Sequence, residues 1–158
     1  MNLAVGRFVD ASPQDAWALI SRTGSWPIWG PSVSEVEPAD AELSLGMRGH
    51  VRTPLGLWLP FHVIGLDPPH SWAWSVLSFP ATSHLVEPAP GGCRVSFSVP
   101  ALAFAYLAIC RRALDHIAVL LEAPNNADPS QSAPAPAAAA PRGTLAHPRS
   151  PSERNPPS

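Results

Sequence analysis

The sequence predicts an α+β domain in which an antiparallel sheet closes around one long C-terminal helix. Three observations carry that expectation. Residues 101–121, ALAFAYLAICRRALDHIAVLL, are apolar on every side at first and then narrow to a stripe of Leu107, Cys110, Leu114, Ile117 and Leu121. These three- and four-residue steps line one face of a helix, and a helix apolar all round must be enclosed. The segments before it are short, alternating and punctuated by Pro and Gly; they read as strands joined by tight turns, which admit only antiparallel pairing. Finally, the chain divides by composition, because residues 124–158 contain no Trp, Phe, Tyr, Val or Ile. Such a Pro/Ala/Ser-rich segment buries too little apolar surface to offset the entropy of ordering it. The folded domain is expected over 1–123, with 124–158 a disordered tail.

The elements follow in order. Leu3, Val5 and Val9 sit at odd positions with Arg7 between them and predict a first strand ending at Asp10. Ser12, Pro13 and Asp15 then start a helix: Ser12 caps a backbone N–H, Pro13 suits the first turn and Asp15 favours the positive helix end. Ala16, Trp17, Leu19 and Ile20 form its apolar face, and Gly24 is expected to stop it. The proline-bounded stretch 26–31 allows one helical turn. Strands are then read at 33–37, 46–53, 58–66, 71–79, 82–87 and 93–99, separated at Pro54-Leu55-Gly56, Asp67-Pro68-Pro69 and Pro90-Gly91-Gly92. Pro100 parts the last strand from the long helix.

Composition excludes several function classes. Net charge is −2, all ten fixed positive charges are arginines, and no basic patch interleaved with aromatics occurs, so no nucleic-acid partner is expected. The N-terminus lacks the charged and long apolar regions of a signal peptide. The apolar half of the late helix is too short to span a bilayer. A cytoplasmic protein without a transmembrane segment is therefore expected. Cys93 and Cys110 are isolated and read as reduced, buried thiols. No C-x-x-C, H-E-x-x-H, G-x-S-x-G or phosphate-loop pattern occurs, so neither a metal nor a cofactor is expected.

Strand alternation places candidate pocket residues. Trp72 and Trp74 share one face of their strand, as do Phe61 with Val63, His84 with Val86, and Cys93, Val95, Phe97 and Val99. Facing the helix, these would line an aromatic cavity with few polar groups, the usual make-up of a small-molecule site; the same residues would equally serve as ordinary core. Trp26 and Trp29 fit either packing or the rim of the cavity. His84 is the best placed polar group, a hydrogen-bonding or proton-transfer residue if exposed to a ligand and otherwise a satisfied core histidine. Phe104 and Tyr106, in the all-apolar half of the late helix, are expected to face the cavity, Tyr106 bringing a hydroxyl. Arg48, His50 and Arg52 share a face that more often meets solvent, and His62 lies opposite Phe61 and Val63. Arg111 and Arg112 are expected to pair with Asp115 along the helix.

The order of motifs resembles the START-like superfamily of polyketide cyclases/dehydrases and lipid-transfer proteins. The resemblance covers 1–123 and rests on Asp10-Ala11-Ser12-Pro13 before a helix with Trp17, Trp26-Pro27-x-Trp29, Asp67-Pro68-Pro69 before a Trp-containing strand, Gly91-Gly92-Cys93-Arg94-Val95, and the terminal helix. It implies the helix-grip fold, a seven-stranded antiparallel sheet gripping the last helix around a cavity for an apolar or amphipathic molecule. The function it implies first is binding of a hydrophobic or aromatic small molecule, with Trp29, Phe61, Trp72, Trp74, His84, Phe97, Phe104 and Tyr106 as ligand contacts. Two other readings stand beside it. One is a cyclase/dehydratase-type enzyme acting on a polyketide or aromatic substrate, with His84 and Tyr106 as candidate catalytic groups; no fixed catalytic motif of the family maps onto this sequence. The other is an interaction module that uses the proline-rich tail.

Overall fold

Strand β1 (Asn2–Val9) leads into helix α1 (Pro13–Ser21) and, after a 3-10 turn, the single-turn helix α2 (Trp26–Trp29). Six strands follow, β2 (Glu35–Glu37), β3 (Arg48–Arg52), β4 (Trp58–Asp67), β5 (Ser71–Val76), β6 (Phe79–Ala89) and β7 (Gly92–Pro100). A 3-10 turn (Ala101–Tyr106) then joins helix α3 (Leu107–Glu122). The computed structural model describes residues 1–123, and the tail expected over 124–158 lies outside them. All seven strands form one antiparallel sheet in the order β1-β7-β6-β5-β4-β3-β2. Helix α3 packs on β1 and β7 and also meets α1 and α2.

Local chemistry accounts for the helix starts. Ser12 Oγ accepts from Asp15 N–H at 3.1 Å, with Pro13 in the first turn of α1. The helix ends at Ser21, before Gly24, because Arg22 turns extended (φ −99°, ψ 127°) and bridges to Glu42. Buried Ala113, Leu114, Ile117 and Ala118 of α3 face Val95, Phe97 and Val99 of β7 and Val9 of β1 within one core.

The structure departs from the sequence reading at three places. The strand expected over 71–79 is two: Leu77 and Ser78 adopt φ of 53° and 69°, and Val76 pairs with Phe79 across this two-residue turn. Positive φ at both central residues is the geometry that matches sheet twist in a tight hairpin, here without the usual Asn or Gly. The apolar segment 101–106 is a 3-10 turn broken at Ala103 (φ −98°, ψ 26°), and Leu102 is 99% and Phe104 67% exposed. That half of the expected helix is therefore not enclosed. Asp115 pairs with Arg7 of β1, not with Arg111 or Arg112, which both point to solvent.

Candidate functional site

An aromatic block fills the inner side of the sheet under α2. Trp26, 1% exposed, stacks on Trp72 with ring centroids 5.1 Å apart and planes 3° apart, and meets Phe61 and Trp74 edge-on. The Trp26 indole donates to the Ile20 carbonyl at 3.1 Å and that of Trp29 to the Leu19 carbonyl at 3.3 Å. Both carbonyls lie in the last turn of α1, where helix carbonyls have no intrahelical partner. Trp26 and Trp29 are thus packing residues that bolt α2 to α1 and to the sheet; neither stands free at a rim.

His84 lies on the other side of Trp72, the rings stacked at 3.8 Å and 17°, with Phe97 edge-on at 4.5 Å. Its Nε2 is 3.2 Å from Thr82 Oγ1, which also accepts from the Trp74 indole at 2.7 Å. Burial pushes His84 down to about 3, against a smaller opposing contact with the Trp72 backbone. The ring is neutral at pH 7. Its Nδ1 and the Trp72 Nε1 are buried without hydrogen-bond partners.

Two cavities adjoin this block. The inner one, about 30 Å³, is lined by Trp29, Trp72, His84, Phe97, Cys110 and their neighbours, and has room for a water molecule rather than a ligand. The outer one is about 270 Å³ and is walled by Val51, Leu59, Val76, Ala81, Val99 and Ala103. Ser32, Val33, Trp74, Thr82 and Tyr106 line both. Across this boundary the hydroxyls of Ser32 and Tyr106 hydrogen-bond at 2.5 Å. Burial raises the Tyr106 phenol, its bond to Ser32 opposing, so the phenol is protonated at neutral pH.

The sequence-predicted residues therefore separate. Trp74 and Tyr106 reach the outer cavity, while Trp29, Trp72, His84 and Phe97 line only the small inner one. Phe61, 3% exposed, packs against Trp26 and Trp74 and lines neither. Phe104 points outward and also lines neither. The walls that sequence reasoning missed are aliphatic residues near one end of the sheet: Val51 of β3, Leu59 of β4, Val76 of β5 and Ala81 of β6. Alternation puts Val76 on the face of Trp72 and Trp74, but Ala81 falls outside the strands read from the sequence, and nothing local distinguishes a valine beside a void from one in solid core. The turns next to them, 53–57, 77–78 and 101–106, carry exposed Leu55, Leu57, Leu77, Leu102 and Phe104.

The charges stay outside. Arg52 pairs with Glu35 on the face of the sheet opposite Val51, and Arg48 and His50 are exposed beside it. Cys93 and Cys110 are free and buried. Among the described residues no group of His, Cys, Asp or Glu is arranged to hold a metal, and no helix is long and apolar enough to cross a membrane.

A seven-stranded antiparallel sheet wrapped against a C-terminal helix, with an apolar cavity beside the turn that joins them, defines a helix-grip domain. The chain belongs to the family described as polyketide cyclase/dehydrase and lipid transport, which matches residues 2–122. Solved structures share the fold. A protein from Mesorhizobium loti aligns with TM-score 0.64 and 13% identity over 79% of this chain and 99% of its own. The protein XoxI from Bacillus cereus aligns with TM-score 0.60 and 16% identity over 77% and 95%, respectively. A protein from Rhodobacter sphaeroides gives TM-score 0.60 and 24% identity over 77% and 92%. No match is found among curated proteins.

Proposed function

We propose that the protein binds a small apolar or amphipathic molecule in the outer cavity, as a carrier or ligand-binding protein. One observation carries this reading: a space of about 270 Å³, walled by aliphatic side chains and lined by the hydroxyls of Ser32, Thr53, Thr82 and Tyr106, lies between the sheet, the segment after α2 and the 3-10 turn before α3. Well-packed interiors leave few voids larger than a water molecule, and ligand sites start at about 300 Å³. The cavity suits a two-ring aromatic or a medium-length alkyl chain better than a long-chain lipid. Family membership supports a ligand-binding role.

The cyclase-type reading draws less support from the geometry. His84 sits behind Trp74 and Thr82 in a space of about 30 Å³ and holds a proton only near pH 3. A general acid or base works best with a pKa near the operating pH and within hydrogen-bond reach of its substrate. His84 instead orients Thr82, which meets the outer cavity.

Titration of 2-naphthol by calorimetry tests the binding reading. Wild type should bind, and Ala81→Leu, which fills the cavity, should bind at least about tenfold more weakly with its unfolding transition retained. Equal binding by the two proteins would remove the outer cavity from the role.

A further inference from the structure

The walls of the outer cavity carry no Arg, Lys, His, Asp or Glu among the described residues. Apart from the Trp74 indole N–H, which is bonded to Thr82, its polar side chains are hydroxyls: Ser32, Thr53 and Thr82, with Tyr106 as the phenol. His84 behind it and Tyr106 on its border both stay uncharged at neutral pH. The guanidinium groups of β3 lie on the far face of the sheet, where Arg52 is already held by Glu35.

The hydroxyls nevertheless have bonding capacity to offer. Ser32 and Tyr106 carry two hydroxyl protons between them, and their mutual bond uses one. One O–H and several lone pairs remain for a third group. Thr82 Oγ1 is aligned by the Trp74 indole at 2.7 Å and by His84 at 3.2 Å, so its position is fixed before any ligand arrives. A carbonyl, ester or hydroxyl head finds partners of matching type here. A carboxylate finds donors too few to replace its hydration and no counter-charge, and burying an unpaired ion is strongly unfavourable.

We propose that the cavity selects uncharged ligands, with an apolar body and one alcohol, phenol, ketone or ester head seated at Ser32, Thr82 and Tyr106, and rejects the corresponding carboxylates. The inference rests on the reading of the outer cavity as the binding site.

Three matched probes separate charge from shape: 2-naphthol, methyl 2-naphthoate and 2-naphthoate, titrated by calorimetry at neutral pH into the full chain. The phenol and the ester should bind within about tenfold of each other. The carboxylate should be at least about 100-fold weaker, or about 2.8 kcal/mol at 1.4 kcal/mol per decade. Tyr106→Phe should weaken 2-naphthol several-fold and leave naphthalene, which has no head, unchanged. Carboxylate affinity equal to that of the ester would overturn the selectivity while leaving the binding site in place. Binding of naphthalene and 2-naphthol with no effect of Tyr106→Phe would overturn the seating of the head. Failure of every probe, naphthalene included, would overturn the binding reading and the selectivity with it.

Discussion

Acidification should destabilise the fold through one side chain, His84. The imidazole is 2% exposed, stacked on Trp72 and edge-on to Phe97, so the folded chain accepts a proton there only near pH 3. In the unfolded chain the same ring takes a proton at about 6.5. Between these values the unfolded state binds the extra proton, so stability rises with pH across the window and is fully present above it. Each pH unit inside the window is worth about 1.4 kcal/mol, and moving from neutral pH to about 4.5 should cost about 2.5 kcal/mol from this group alone. Urea unfolding followed by tryptophan fluorescence at several pH values measures the slope. His84→Phe keeps a ring of similar shape against Trp72 and Phe97, leaves the Trp74–Thr82 bond in place and abolishes the titration. The variant should lose about 2.5 kcal/mol less than wild type over that interval. Equal losses in the two proteins would refute the reasoning, as would an imidazole NMR titration of folded His84 near its ordinary value.

Other predictions follow from packing and turn geometry. Trp26→Ala removes a fully buried indole that touches three aromatic rings and bonds the end of α1, and should cost about 4 kcal/mol in urea unfolding; Trp58→Ala, at a side chain 41% exposed, should cost less than about 1 kcal/mol. Replacing Leu77-Ser78 by Asn-Gly relieves positive φ at both positions and should raise stability by about 1 kcal/mol or more, read as a higher urea midpoint. Arg7→Ala breaks the ion pair with Asp115, whose side chains are 44% and 61% exposed, and should change stability by less than about 1 kcal/mol at moderate salt.

Much of the architecture was legible in the chain. Alternation and proline or glycine punctuation give the seven strands in order, and Ser12-Pro13 places the start of α1 as found. The β5–β6 turn was hidden because Leu77 and Ser78 are not turn-forming residues; only the register of Val76 with Phe79 shows it. Hydrophobicity misleads at 101–106, where the apolar run predicts a buried helix. The chain must leave β7 at Pro100 and reverse onto the sheet, and it does so in a 3-10 turn that leaves Leu102 and Phe104 outside. The partner of Asp115 was equally out of reach, since spacing along a helix says nothing of Arg7, more than 100 residues away. The candidate site was legible in part. Trp74 and Tyr106 reach the outer cavity, but its aliphatic walls come from strands β3 to β7 and the 101–106 turn, and which of their side chains border a void is a property of the assembled sheet.

The central claim is that an uncharged apolar molecule occupies the space between Val51, Leu59, Val76, Val99 and Tyr106. Methyl NMR spectra recorded during titration with 2-naphthol test it most directly. Saturable shifts should appear at the methyls lining the cavity, Val33, Val51, Leu59, Val76, Ala81, Val99 and Ala103 among them, with Ile20 of α1 and Ile64 of the outer sheet face unmoved. Saturable shifts centred on those last residues, with the cavity methyls unchanged, would contradict it.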